Sequence, residues 1–111
     1  MGASKSDLFS ESQNEIALLA KAIGHPARVA ILHYLHASNT CINNDLVQEL
    51  GLAQATISQH LKALKDIGII QGSIEGTSIC YCINPKKWAL MGQLFGNFFG
   101  EYSNFQKTNC C

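Results

Sequence analysis

The sequence carries no net charge, because 8 Lys and Arg residues balance 8 Asp and Glu among 111 residues. It therefore lacks the basic excess that makes nucleic acid a default partner. Any DNA function must come from local geometry and be helped by a second subunit. No run approaches the roughly 18 consecutive apolar residues of a membrane span, so no membrane partner is expected. The opening segment, MGASKSDLFSESQNE, has no apolar core of a secretory signal. A cytoplasmic location is expected. There, the odd set Cys41, Cys80, Cys82, Cys110 and Cys111 reads as reduced thiols. There is no low-complexity tract, internal repeat or long linker. No nucleophile–base pair, phosphate-cradling glycine loop or paired carboxylate stands at a readable spacing, so an enzyme is not expected.

What is present is a folding chain, with 47% hydrophobic residues. That content argues against disorder, and the length suits one domain. Residues 1–10 are small and polar and are expected to be disordered; residues 11–111 are expected to form the domain. Ile16, Leu19, Ala20 and Ile23 share one helical face, and Gly24 ends that helix by taking a left-handed conformation. Pro26 opens a second helix, in which Val29, Ile31, Leu32 and Leu35 supply apolar contact. A third, short helix covers about 44–50, with Asn43 or Asn44 as its cap and Gly51 after it. A fourth runs from about 53 to 67, with Ile57, Leu61 and Leu64 on one face and Gly68 closing it. Ile69 and Ile70 begin a β signal, Glu75-Gly76-Thr77 turns it, and Ile79, Tyr81 and Ile83 alternate onto one face of a second strand. Asn84-Pro85 stops the strand and opens the last helix.

That last helix bears Trp88, Met91, Phe95, Phe98, Tyr102 and Phe105 at alternating spacings of 3 and 4. Beside this stripe, Gly92, Gly96 and Gly100 recur every fourth residue. Each interior glycine costs roughly 1 kcal/mol relative to alanine. Close approach of another backbone would explain them. The stripe is read as a two-fold dimer seam made by Trp88, Met91, Gly92, Phe95, Gly96, Phe98, Phe99, Gly100 and Tyr102. The alternative is a helix packed on its own body.

The segment from Asp45 to Leu61 reads short helix, glycine turn, longer helix, which is a helix–turn–helix. The second helix of such a unit can enter the DNA major groove. Its exposed face offers Gln54, Ala55, Thr56, Ser58 and Gln59, with His60 in the same motif and Lys62 and Lys65 further along. Glutamine can read adenine, Ser and Thr can bond base or phosphate, Ala can touch a thymine methyl, and Lys pairs with phosphate. The alternative is a solvated polar face.

The stretch DLVQELGLAQATISQHLKALKDIGII resembles the helix–turn–helix of the arsenic- and metal-sensing repressors usually called ArsR/SmtB. AIGHPARVAILHYL, with Arg28, resembles that family's second-helix signature, and SIEGTSICYCIN resembles its wing hairpin. The likeness covers roughly residues 14–105. It implies a mainly α fold with a β-hairpin wing, in the order α-α-α-α-β-β-α, and a homodimer through the terminal helices. It also implies repression at an imperfectly palindromic double-stranded operator, with no cofactor required. Two departures stand out. Ala53 replaces a common Ser, removing a helix cap worth about 1 kcal/mol. The wing tip, Ile74-Glu75-Gly76-Thr77, lacks the arginines many relatives carry, which should lower affinity and flatten its salt dependence.

The family's paired-cysteine metal box at the third helix is absent; Cys41 stands alone upstream of it. The last helix contains no histidine, so a zinc site there is discounted. His33 and His36 share a face and read as packing residues. Cys110-Cys111 resembles one arsenic-responsive branch of the family. Trivalent arsenic and antimony are soft, thiol-seeking centres. The two tail thiols, with Cys41 as a third, are the candidate ligands for such an inducer. Idle tail thiols or redox and sulfur chemistry are the alternatives. Cys80 and Cys82 share the other face of the second strand. They read as small apolar side chains, with soft-ion binding as the alternative and a disulfide disfavoured by geometry. The competing functional readings are a winged-helix protein-interaction module, a redox- or sulfur-responsive repressor, and a thiol-based metalloid scavenger.

Overall fold

The computed structural model describes residues 5–37, 45–75 and 78–100. Five α-helices and a hairpin follow in the expected order. They are α1 (Glu11–Ile23), α2 (Pro26–Ala37), α3 (Asp45–Leu50), α4 (Gln54–Asp66), β1 (Ile70–Glu75), β2 (Ser78–Ile83) and α5 (Pro85–Gly100). Lys5–Leu8 forms one 3-10 turn ahead of them.

Ser10 supplies the physical reason why α1 starts where it does. The Ser10 hydroxyl accepts from the Gln13 N–H at 3.0 Å, and Gln13 Oε1 accepts from the Ser10 N–H at 3.0 Å. This reciprocal capping box satisfies two donors that a helix start would otherwise leave to water.

Helix ends follow the glycines, with one correction. Gly51 and Gly68 have φ of +68° and +87°, the left-handed region that disfavours other residues. After α4, the Gly68 N–H reaches Lys65 O at 2.9 Å and the Ile69 N–H reaches Leu64 O at 3.0 Å. These two bonds make a Schellman motif. Gly24 is not left-handed, having φ −81° and ψ 45°. Space selects the glycine there: a Cβ would stand 3.0 Å from Ala20 O.

The core is one cluster. Leu19 and Ala22 from α1, Ile31, Leu32 and Leu35 from α2, and Leu46 from α3 meet Ile57, Leu61 and Leu64 from α4; Ile69, Ile70 and Met91 complete it. Ile57, Leu61 and Leu64 confirm the helical reading of α4, since their spacing puts them on one face. Val29 is 41% exposed, so it does not join the apolar contacts expected of it. It stands outside the buried stripe of Ile31, Leu32 and Leu35.

The hairpin is antiparallel, pairing Ile70 with Ile83, Gln71 with Cys82, Gly72 with Tyr81 and Ser73 with Cys80. Gly72 is required by closeness, because a Cβ there would lie 2.5 Å from Tyr81 Cδ1 and 2.8 Å from Cys80 O. Asn84 joins the hairpin to its neighbours. Its Nδ2 donates to Gly68 O at 3.1 Å, and its Oδ1 accepts from the Lys86 N–H at 3.1 Å. One side chain therefore caps α5 and ties that helix to the end of α4. The hairpin is thereby held beside the helix–turn–helix.

Candidate nucleic-acid interface

The buried stripe of α4 fixes which residues it presents outward. With 3.6 residues per turn, anchoring Ile57, Leu61 and Leu64 in the core turns Ala55, Gln59 and Lys62 away from it. Gln54, Ala55, Ser58, Gln59 and Lys62 are all exposed, whereas Thr56 and His60 are half-buried on one flank. Gln54 Nε2 donates to Ser58 Oγ at 3.2 Å, one turn along. Both side chains keep unused donor or acceptor capacity for a base edge or phosphate. Lys62 Nζ is paired with Asp66 Oδ2 at 2.9 Å, which partly neutralises the cation expected to meet a phosphate.

The start of α4 is uncapped, as the sequence implied. Ala53 occupies the cap position with extended φ −63° and ψ 147°, and no side chain bonds the first amides. The free N–H groups of that turn face solvent or a ligand.

His60 differs from its neighbours. Arg28 Nε donates to His60 Nδ1 at 3.0 Å, and Arg28 Nη1 donates to Ala22 O at 2.9 Å. The His25 ring lies with its centroid 4.6 Å from that of His60. His25 Nδ1 in turn accepts from the Ala27 N–H at 3.0 Å. The His60 ring is thus held against the end of α1 and the start of α2, not offered with the glutamines. Burial, then His25, then Arg28, lower its pKa from the usual 6.5. An accepting Nδ1 places the proton of the neutral ring on Nε2. Arg28, which holds the motif histidine in place, is the contact that residue-level reading underrated. It sits 32 positions from His60, and no periodicity links them.

The proposed dimer stripe divides. Met91 is 6% exposed and belongs to the chain's own core. Trp88 and Phe95 pack against that core, and Trp88 also meets the His36 ring at 5.8 Å. The outward part consists of Phe98, 43% exposed, and Phe99, 67% exposed, with Gly92, Gly96 and Gly100. A Cβ at any of the three glycines would meet nothing within 4 Å, so packing among the described residues does not demand them. Leu18 and Leu90 add exposed apolar surface and line a cleft between α1 and α5 with Glu11, Glu15 and Leu94. Tyr102 lies outside the described residues.

The candidate metal ligands Cys41, Cys110 and Cys111 also lie outside the described residues. Among the described residues, no three His, Cys, Asp or Glu side chains gather as a metal site. Cys80 and Cys82 are free and half-buried on β2. No helix of the described residues is long and apolar enough to cross a membrane.

A short helix, a left-handed glycine turn, a core-anchored second helix and an antiparallel hairpin define a winged helix–turn–helix protein. A sequence profile described as "Bacterial regulatory protein, arsR family" matches residues 25–71. The HTH-type transcriptional repressor SmtB of Mycobacterium tuberculosis is 38% identical over 63 residues, covering 57% of this chain and 46% of that protein. The matched chain thus spans about half the length of that relative. The HTH-type transcriptional regulator YgaV of Escherichia coli is 35% identical over 75 residues, covering 68% of this chain and 76% of that one. Among solved structures, the transcriptional repressor BigR from Xylella fastidiosa matches with a TM-score of 0.63 and 26% identity, covering 96% of this chain and 100% of that one. The chain belongs to the arsR family of bacterial regulatory proteins. These relatives are transcriptional regulators, not enzymes.

Proposed function

We propose that the protein is a DNA-binding transcriptional repressor that acts as a homodimer on double-stranded operator DNA. The observation that carries this reading is the outward face of α4. Gln54, Ala55, Ser58 and Gln59 stand exposed on a helix whose opposite face is anchored by Ile57, Leu61 and Leu64. The face combines amide, hydroxyl and methyl groups, the chemistry that reads base edges. Thr56, on the flank, and Lys62 add a hydroxyl and a cation for the backbone. The exposed ring pair Phe98 and Phe99 and the open glycines of α5 support a second copy covering that face. A regulator of this kind works in the cytoplasm, beside the DNA. The names of the relatives, repressor and regulator, agree with this reading.

The inducer is a soft, thiol-binding species, of which trivalent arsenic and antimony are the leading class. Cys110 and Cys111 are its ligands, with Cys41 as the third sulfur. This rests on the adjacent thiols of the sequence and on the softness of such ions. Inducer and operator binding oppose each other, with a coupling of about 1–3 kcal/mol typical of such pairs.

Fluorescence anisotropy of the reduced protein on DNA from its own upstream region tests both parts. Specific binding that weakens with salt, and is lost when Gln59 becomes Ala, is expected. Arsenite should release the wild type and leave Cys110→Ser/Cys111→Ser bound. Release that survives the double change overturns the ligand assignment. Absence of specific binding at low salt overturns the repressor reading and favours a protein-interaction module.

A further inference from the structure

We propose that Cys80 and Cys82 form a second thiol site, on the wing, which chelates a single soft, two-coordinate cation of the mercury(II) type. The two residues alternate with Tyr81 and Ile83 along β2, and Tyr81 and Ile83 pack against the core. Side chains two apart on a strand share a face, so both thiols project from the side opposite that core contact. Both are free and only partly covered. The cross-strand neighbour of Cys82 is the exposed Gln71, whose Nε2 stands 3.9 Å from Cys82 Sγ.

Spacing selects the ligand. Same-face residues lie about 6.6 Å apart along a strand. A disulfide needs Cβ atoms within about 4.5 Å and sulfurs about 2.05 Å apart, which this arrangement does not reach without moving the backbone. A two-coordinate ion needs far less approach. A metal–thiolate bond of about 2.3 Å on each side sets the sulfurs about 4.6 Å apart. Ordinary rotamers leaning toward each other span that gap. A tetrahedral ion is disfavoured, because no third His, Cys, Asp or Glu joins the pair among the described residues. Soft thiolates select soft ions over hard ones. On binding, two S–H groups lose their protons to buffer, two S–metal bonds form, and mercury(II) gives up its two chloride ligands.

The experiment uses the full chain carrying Cys41→Ser, Cys110→Ser and Cys111→Ser, which leaves Cys80 and Cys82 as its two thiols. This separates the wing site from the tail assignment, since either can fail alone. Mercury(II) chloride is titrated into the reduced protein in thiol-free buffer, and sulfur-to-mercury absorbance, proton release and alkylation by iodoacetamide are followed; retention is then challenged with millimolar monothiol. The expected result is one ion per chain, two protons released, and both thiols protected together. Adding Cys82→Ser should weaken retention against the monothiol by about 100-fold or more, the usual gain of linking two binding groups. Circular dichroism verifies that this variant is folded, and Cys80→Ser provides the matching single-thiol variant. Half an ion per chain, independent alkylation of the thiols, or equal retention by the single-thiol variants overturns the proposal.

Discussion

Replacing Ala53 by serine is expected to stabilise the protein by supplying the cap that α4 lacks. The magnitude follows from a comparison inside the same chain. Ser10 and Ala53 hold nearly the same extended backbone, φ −69°, ψ 161° and φ −63°, ψ 147°. At Ser10 the hydroxyl accepts from the third helical amide at 3.0 Å, and Gln13 returns the bond. At Ala53 neither bond exists. Ala53 is exposed, so a hydroxyl there displaces no packed atom. Its oxygen would face the amides of Ala55 and Thr56. A cap of this type contributes about 1 kcal/mol. The reciprocal half of the box cannot form, because the third helical residue is Thr56 and not Glu or Gln. The expected gain is therefore about 0.5–1 kcal/mol, or a rise in Tm of roughly 2–5 °C for a chain of this size. Urea unfolding at one fixed protein concentration measures it, since association would otherwise shift the midpoint. Ser10→Ala is the paired control and should lose about 1 kcal/mol. If Ser10→Ala destabilises while Ala53→Ser leaves the midpoint unchanged or lower at constant slope, the capping argument for α4 is wrong.

Three further outcomes follow from individual contacts. Burial, His25 and Arg28 depress the pKa of His60, so the unfolded chain takes up that proton first as pH falls. The stability tied to this group is complete above about 6.5, the unfolded value, and is lost as pH falls through the lower folded value. His60→Gln should flatten that part of a stability–pH profile, and an unchanged slope would assign the acid sensitivity elsewhere. Gly72→Ala should cost about 1–3 kcal/mol in denaturant unfolding, because the new Cβ would meet Tyr81 Cδ1 at 2.5 Å and Cys80 O at 2.8 Å. Asp66→Asn frees Lys62, whose ion pair is 76% and 63% exposed at its two ends. Stability should change by less than about 1 kcal/mol. DNA affinity at low salt should rise, and the salt slope should steepen by about 0.9 per added phosphate contact. An unaltered slope would exclude Lys62 from the interface.

The sequence by itself determined the element order, the helix–turn–helix and the outward face of α4 except Thr56, which turns to the half-buried flank. These are local properties. Ile57, Leu61 and Leu64 repeat at helical spacing, Gly51 and Gly68 mark left-handed ends, and Asn84-Pro85 marks a strand stop and helix start. Each signal lies within a few residues of what it specifies, so no knowledge of the rest of the chain is needed. The missing cap at Ala53 was legible from the family resemblance, in which serine commonly holds that position.

Tertiary structure alone decided what covers each apolar face and which distant polar groups meet. Periodicity placed Trp88, Met91, Phe95 and Phe98 in one stripe, but it could not say that Met91 enters the chain's own core while Phe98 stays exposed. It counted Val29 as a contact residue, although the orientation of α2 leaves that side chain outside. It read Gly24 as a left-handed cap, where the closeness of Ala20 O is the actual constraint. The bond from Arg28 to His60 joins residues 32 apart, and its donor and acceptor meet only because α2 and α4 pack together. A side-chain hydrogen bond of that range leaves no repeat, spacing or composition bias in the chain, since its geometry exists only after the helices have packed.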